Sequence, residues 1–163
     1  MHEYTPEELV SLTNICLKSL FALQYFDGEN GRQIEWEAKG GFVDDVEKNR
    51  LVYLCILYLG FMWELYLFLE TNDQALISLL KSTKGQRSHL KDMRNSTFHV
   101  TSSKIEKGRF ENFKSVTSGK DWQAIYFQDL KIIGNYIYEL HQVKNPKHAL
   151  LFQNFWMRIW PFH

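Results

Sequence analysis

The sequence predicts an all-α protein, a single domain over residues 1–163 built as a bundle of four long helices with short additions. Three observations favour this fold class. Apolar residues recur at spacings of three and four in the first and last parts of the chain. A nearly uninterrupted apolar run at residues 51–63 needs other helices around it. The 163 residues contain neither an internal repeat nor a linker between domains.

The first helix has a full set of start signals. Thr5 is a candidate N-cap, Pro6 takes the first helical position, and Glu8 stands three residues after Thr5, as in a capping box. The positions that then follow the helical spacing are Leu9, Leu12, Ile15, Cys16, Ser19, Leu20, Leu23 and Phe26. The sequence Asp-Gly-Glu-Asn-Gly at residues 27–31 predicts the end of this helix.

The dominant element is a predicted helix over residues 43–70. Before it, residues 31–42 alternate between apolar and charged, which fits an edge strand or, equally, an irregular loop, and Gly40 and Gly41 break the chain. Acidic residues at the start of the 43–70 segment favour a helix N-terminus. Its clean apolar run of 13 residues is shorter than the roughly 20 that span a bilayer. We therefore expect a core helix and not a membrane span.

The basic middle of the chain alternates between helical and polar patterns. A short helix is predicted over residues 73–81, followed by a turn at Lys84-Gly85. A longer helix is expected over residues 88–100. Residues 101–120 are polar, basic and rich in Ser, Thr and Gly, so we expect a mobile loop there.

Two helices complete the predicted bundle. A long amphipathic helix covers residues 121–144, and Pro146 starts a short final helix. The aromatic side chains at the C-terminus are too apolar to remain fully exposed. We expect them to pack on the bundle, with a dimer or partner surface as the alternative. They are Phe152, Phe155, Trp156, Trp160 and Phe162.

Charge is distributed unevenly although the formal net charge is zero. Residues 1–80 carry 5 basic and 13 acidic residues, whereas residues 81–120 carry 10 basic and 3 acidic residues. This asymmetry is typical of a protein that binds a polyanion or associates with itself. Charges that pair across the folded surface are the alternative explanation.

Several kinds of active site are missing from the sequence. It contains no zinc-protease, Cys-x-x-Cys, EF-hand, phosphate-loop or nucleophile-elbow motif, so we expect no metal and no cofactor. His141 and His148 stand on either side of a predicted helix break, which argues against a zinc pair. Cys16 and Cys55 lie in apolar helical patterns and are predicted to be small buried side chains. Since no signal peptide is found, we expect a cytoplasmic protein.

One stretch, Arg-Asn-Ser-Thr-Phe-His at residues 94–99, has the residue types that cleave a phosphodiester without a metal. His99 can take or give a proton near neutral pH. The guanidinium of Arg94 can hold a phosphate through two hydrogen bonds and stabilise developing charge. Asn95 and His99 share a helix face, but Arg94 and His99 are about 140° apart on a straight helix. A joint role needs a distortion, a helix end or a second copy of the site.

At these residues the chain resembles the HEPN superfamily, the higher eukaryote and prokaryote nucleotide-binding domains. Its signature is Arg-x4–6-His with a polar residue, often Asn, directly after the arginine. The resemblance implies a HEPN-like helical bundle, a homodimer with a composite cleft, catalytic roles for Arg94 and His99, and a supporting role for Asn95. Many members are metal-independent endoribonucleases of toxin and defence systems. The resemblance also implies an antitoxin or nucleotidyltransferase partner, as some toxin members of the family have. In those members the motif continues as His-x-Tyr and the partner modifies the tyrosine, whereas this chain has Thr101 at that position.

Further residues are candidates for supporting roles. Glu64, an acid within an apolar helix, is expected to form a buried ion pair or hydrogen bond, or alternatively to hold Arg94 or His99 in place. Basic residues that could follow an RNA backbone are Lys84, Arg87, Lys91, Lys104, Lys107 and Arg109. The sequence thus predicts an endoribonuclease that leaves 2′,3′-cyclic phosphate ends. A non-catalytic module that binds nucleotide, RNA or a protein is the alternative, and a helical interaction protein with an accidental motif is the third possibility.

Overall fold

The computed structural model describes residues 2–42, 44–91, 115 and 121–159. Within these residues the chain is predominantly helical and contains no strand, which confirms the all-α prediction for this part of the protein. The helices are α1 (Pro6–Ala38), α2 (Asp45–Asn72), α3 (Gln74–Leu79), α4 (Lys84–Ser88), α5 (Trp122–Lys144) and α6 (Pro146–Ile159). Helix α1 packs along α2, and α5 contacts both α1 and α6.

The predicted start of α1 is confirmed. The Thr5 side chain accepts a hydrogen bond from the backbone N–H of Glu8 at 3.2 Å, and the Glu8 carboxylate accepts one from the Thr5 N–H at 2.8 Å. Together they form a capping box that satisfies two backbone donors at the helix terminus. This start is local chemistry, which is why the sequence alone predicts it.

The predicted end of α1 at residues 27–31 is wrong. The helix continues through both glycines to Ala38, so residues 31–38 form neither an edge strand nor a loop. Tertiary contacts explain the extension: Glu29 and Gln33 are buried, and the Gln33 amide donates to the backbone carbonyl of Glu47 on α2 at 2.9 Å. Arg32 also pairs with Glu29 at 2.6 Å and Glu47 at 3.0 Å. These contacts offset the helix-breaking tendency of two glycines.

The chain reverses where the second glycine pair was predicted to break it. Gly40 has a φ of +79°, a backbone conformation that residues with a Cβ adopt only at a cost. Asp44 then caps α2, since its carboxylate accepts a hydrogen bond from the Glu47 N–H at 2.8 Å. The acidic start predicted for this helix is therefore confirmed.

Helix α2 forms the centre of the core, as its apolar pattern predicts. Leu59, Met62, Leu65 and Leu69 have no exposed surface and pack with residues of α1 and α5. By length and composition, α1 and α2 could each cross a membrane, but buried core helices of soluble proteins have the same properties.

Short helices follow α2. The short helix predicted over residues 73–81 is observed as α3, with Asp73 as its N-cap. Lys84 and Gly85 were predicted to form a turn but instead begin α4. Thr83 and Gln86 explain this difference, because they make a second capping box. The predicted helix over 88–100 is described only to residue 91, where residues 90 and 91 are helical. The rest of it, and the predicted loop over 101–120 apart from residue 115, lie outside the described residues.

The last two helices agree with the sequence. Helix α5 ends at Lys144 and α6 begins at Pro146, as predicted from the Asn-Pro pair. Phe152 is buried against the bundle, as expected for the aromatic C-terminus. The side chains of the other aromatic residues named there, Phe155, Trp156, Trp160 and Phe162, lie outside the described part.

Candidate functional site

The Arg-x4-His motif lies outside the residues that the structure describes. This applies to Arg94, Asn95 and His99 and to the more distal basic residues Lys104, Lys107 and Arg109. On the N-terminal side of the motif the described residues end at Lys91, three residues before Arg94. The structure therefore shows how the helices hold the segment of chain that leads into the motif.

A buried carboxylate anchors residues 81–91, the approach segment that leads to the motif. Asp129 of α5 is fully buried and accepts hydrogen bonds from the backbone N–H groups of Lys81 at 2.5 Å and Ser82 at 3.2 Å. The Tyr66 hydroxyl of α2 donates to the same carboxylate at 2.8 Å. One side chain thus joins α2, α5 and the turn between α3 and α4, and all three donors are satisfied.

Arg87 adds a second anchor. Its Nε donates to the Glu70 carboxylate at 3.0 Å, and its Nη1 donates to the Ser82 carbonyl. The guanidinium also lies 5.7 Å from the ring centre of Tyr66. Only 6% of Arg87 is exposed, so these internal contacts and not RNA account for its position. The RNA-binding role predicted for it gains no support from this geometry.

The remaining contacts fix the end of the approach segment. The Tyr126 hydroxyl of α5 donates to the Gln86 carbonyl at 2.8 Å, and Leu90 is fully buried. Lys84 and Lys91 are exposed and remain candidates for contact with a phosphate backbone. The scaffold therefore holds the apolar and hydrogen-bonding groups of this segment inside and leaves the side chains of its three lysines, Lys81, Lys84 and Lys91, in solvent.

Glu64 lies in the middle of α2 and is partly buried. It sits one position before the fully buried Leu65 and two before Tyr66, the residue that donates to Asp129. Its place on the same helix as this anchor is compatible with both roles predicted from the sequence.

A cavity of about 190 Å³ lies between α1, α2 and α5. It is lined mainly by apolar side chains, with Asp27, Tyr58 and Gln123 as polar members and Cys55 beside them. Loss of hydration on burial raises the pKa of Asp27 and raises that of Cys55 to about 12. The Cys55 thiol is therefore protonated at neutral pH and is not an activated nucleophile. Both cysteines are buried and free, as predicted.

A second cavity, of about 390 Å³, lies between α1 and the junction of α5 with α6. Thr13, His141 and His148 are among its lining residues. The two histidine rings are 6.0 Å apart between centroids and nearly perpendicular. The sequence did not predict that His141 and His148 lie close together, because a helix break separates them. In the described residues no group of three or more His, Cys, Asp or Glu side chains could hold a metal ion.

Sequence reasoning missed Asp129, the residue that organises the approach segment. A signal for it was present, because Asp129 falls on the apolar face of the helix, between the buried Tyr126 and the buried Ile133. An acid on such a face is buried, and a buried acid needs partners. Its partners are backbone N–H groups 47 and 48 residues away in the chain, and the sequence does not identify them.

No protein-family model matches this chain, and neither a curated protein nor a solved structure is significantly similar to it.

Proposed function

We propose that the protein is a metal-independent endoribonuclease of the HEPN type that acts on single-stranded RNA as a toxin or defence component. The observation that carries the proposal is the motif formed by Arg94 and His99, with Asn95 directly after the arginine. Its position within the basic segment 81–120 supports it, because a polyanionic substrate is attracted there. In the proposal the four-helix HEPN-like bundle is the scaffold, and the cytoplasm, where RNA is available, is the location.

The proposed reaction needs no group beyond the chain. An imidazole of His99 accepts the proton of a ribose 2′-hydroxyl, and the 2′-oxygen forms a bond to the adjacent phosphorus. The bond from phosphorus to the 5′-oxygen breaks, and this oxygen receives a proton from an imidazolium. The products are a 2′,3′-cyclic phosphate and a 5′-hydroxyl. Arg94 stabilises the charge on the phosphoryl oxygens, and Asn95 positions the histidine or the phosphate.

A homodimer would solve the geometric problem of the motif. Because Arg94 and His99 are about 140° apart on a regular helix, two motifs facing each other supply both groups to one cleft. Exposed apolar side chains on α1 and α2 support self-association. Phe21 and Tyr25 on α1 are 40% and 65% exposed, and Tyr53 on α2 is 51% exposed, so a second copy could bury aromatic surface there.

The anchored approach segment also supports the proposal. Catalytic groups act best when a rigid scaffold holds the chain that bears them. Asp129 and Arg87 fix the backbone shortly before the motif, and the exposed Lys84 and Lys91 flank this segment. If they contact phosphates, Lys84→Ala and Lys91→Ala should each weaken RNA binding and reduce the salt slope by about 1.

The decisive experiment is cleavage of labelled RNA in EDTA by wild type, Arg94→Ala, Asn95→Ala and His99→Ala. Matched controls are Arg50→Ala and His89→Ala, which remove exposed side chains of the same types from described helix and turn positions. We expect wild type and both controls to leave cyclic-phosphate ends. The arginine and histidine variants of the motif should be at least about 100-fold slower, the usual contribution of such groups.

Two outcomes would contradict this proposal. Equal cleavage by all variants would indicate a contaminating nuclease or a different site. No cleavage by wild type on a broad RNA panel would favour the alternative, a non-catalytic module. Salt-dependent binding of RNA or nucleotide without turnover would then identify that module. Helical circular dichroism and oligomeric mass must be unchanged in every variant.

Glu64 is tested separately. If it positions Arg94 or His99, Glu64→Gln should lower the cleavage rate while the midpoint of urea unfolding stays near that of wild type. If it has only a structural role, the variant should lose stability and keep its rate per folded molecule. An antitoxin or nucleotidyltransferase partner is a further part of the proposal, and co-purification from the native host would test it.

A further inference from the structure

The cavity beside α1 contains a histidine whose hydrogen bonding fixes its tautomer. The Thr13 hydroxyl lies 2.6 Å from the Leu9 carbonyl and 3.0 Å from Nε2 of His141. A hydroxyl has one proton, and here the carbonyl, which can only accept, receives it. The Thr13 oxygen must therefore accept from His141, so Nε2 of the neutral ring bears the hydrogen and Nδ1 bears the lone pair.

The lone pair of Nδ1 is buried and has no hydrogen-bond partner within the described part of the protein. His141 is only 5% exposed. A buried acceptor without a partner costs free energy, and a bound ion is one way in which a native protein satisfies such an atom. Nδ1 is a strong donor atom for a metal ion, and His141 lines the cavity of about 390 Å³.

A second imidazole stands at a suitable distance. The ring of His148, on the first turn of α6, has its centroid 6.0 Å from that of His141. Two imidazoles on one ion, with metal–nitrogen bonds of about 2.0–2.1 Å, place their ring centres roughly 5.2 Å apart at a tetrahedral angle and roughly 6.4 Å apart on opposite sides of the ion. The observed separation lies between these two values, and the exposed side chain of His148 can turn toward His141 to reach the tetrahedral one.

We propose that His141 and His148 bind one divalent first-row transition-metal ion of the Zn²⁺ or Ni²⁺ type, with His141 coordinating through Nδ1. Imidazole nitrogen suits these ions. Thr13 positions the His141 ring, because it accepts a hydrogen bond from the nitrogen opposite the metal, a common arrangement around metal-bound histidines. Since no third His, Cys, Asp or Glu completes a cluster among the described residues, water or an added ligand takes the remaining positions.

The test is a calorimetric titration of the untagged chain with Zn²⁺, repeated with Ni²⁺ and with Mg²⁺. We expect one Zn²⁺ per chain and no Mg²⁺ binding. His148→Gln changes an exposed residue and should weaken Zn²⁺ binding at least tenfold with the fold intact. Thr13→Val should weaken it by roughly 10-fold or more, as loss of an outer partner does. His89→Gln, at an exposed histidine elsewhere, is the matched control and should bind as wild type does.

Several results would overturn the proposal. They are the absence of stoichiometric Zn²⁺ binding, equal affinity in His148→Gln, or equal losses in His148→Gln and His89→Gln. Nitrogen NMR of the imidazoles gives an independent readout. In the metal-free protein His141 should carry its proton on Nε2, and Zn²⁺ should shift the Nδ1 resonance. A protonated Nδ1 in the neutral ring, or a Zn²⁺-induced shift confined to other histidines, would also reject it.

Discussion

At the scale of single residues, Asp129 makes the contacts on which the approach segment depends. One carboxylate accepts from the Tyr66 hydroxyl and from two backbone N–H groups in a fully buried position. Removing it leaves those donors without partners, and each unsatisfied buried donor costs roughly 1–3 kcal/mol. The residue is therefore structural, and it fixes the backbone at Lys81 and Ser82 on the N-terminal side of the motif.

Asp129→Ala is expected to lower the free energy of unfolding by about 3 kcal/mol. Asp121→Ala is the matched control, since Asp121 is exposed at the start of the same helix and makes no cap hydrogen bond. It should change stability by less than about 0.5 kcal/mol. Urea unfolding followed by circular dichroism gives both values. Equal effects of the two substitutions would show that the buried network is not formed.

Asp73 predicts a pH dependence of stability. Burial tends to raise the pKa of its carboxyl, but hydrogen bonds from the Leu76 N–H, Tyr136 and Tyr4 outweigh burial, so the pKa is lowered. The unfolded residue titrates near about 3.9. The resulting stability is thus fully present above that value and is lost as the pH falls through the lower pKa of the folded state.

Wild type should therefore lose more of its free energy of unfolding between pH 5 and pH 3, an interval of about two units around the unfolded pKa, than Asp73→Asn does. Tyr136→Phe removes one of the donors to Asp73 and should give an intermediate loss. Denaturant titrations at the two pH values measure these differences. If Asp73→Asn shows the same loss as wild type, the acid sensitivity comes from other carboxyls.

At the scale of elements, most helix starts were predicted from the sequence, but the start of α4 and the end of α1 were not. The capping residues Thr5, Asp44 and Asp73 each act within three residues of themselves, so a local pattern is sufficient to identify them. The end of α1 depends instead on contacts between Gln33 and α2. Those contacts exist only after the two helices have packed.

The glycines in α1 and in the turn after it predict substitution effects on stability of opposite sign. Gly28 and Gly31 lie inside the helix, and no atom lies within 4 Å of an added Cβ at either position. Gly28→Ala and Gly31→Ala should each stabilise the protein by about 1 kcal/mol. Gly40→Ala should destabilise it by about 1 kcal/mol, because the φ of +79° disfavours a Cβ. Thermal unfolding compares all three.

If the chain instead ended its first helix at residues 27–31, the predicted signs would change. The alanine substitutions at Gly28 and Gly31 would then be neutral or unfavourable. A stabilisation at these two positions and a loss at Gly40 would together confirm the continuous helix and the turn that follows it.

At the scale of the whole molecule, the proposed composite site predicts complementation between inactive variants. Light scattering should first give twice the mass of one chain. A mixed dimer of Arg94→Ala with His99→Ala retains one intact arginine and one intact histidine. Its RNA cleavage should exceed that of either variant alone if both motifs face one cleft. A monomeric mass, or no recovery in mixed dimers, would contradict the composite site.

Tyr25→Glu tests which surface forms that dimer. Tyr25 is 65% exposed on α1, so the substitution should leave the monomer folded. If α1 lies in the interface, the charged side chain should shift the mass toward a single chain and lower cleavage with it. Leu150→Glu on α6, which is 59% exposed, is the matched control and should leave the mass unchanged.

The sequence by itself determined the fold class, most helix starts and the burial of both cysteines. It also supplies the motif at Arg94 and His99, because residue type and short spacing are local properties. Only the tertiary structure decided the length of α1, the internal position of Arg87 and the proximity of His141 to His148. The physical reason is that these features depend on side chains that are distant in sequence or separated by a helix break, and these meet only when the helices pack.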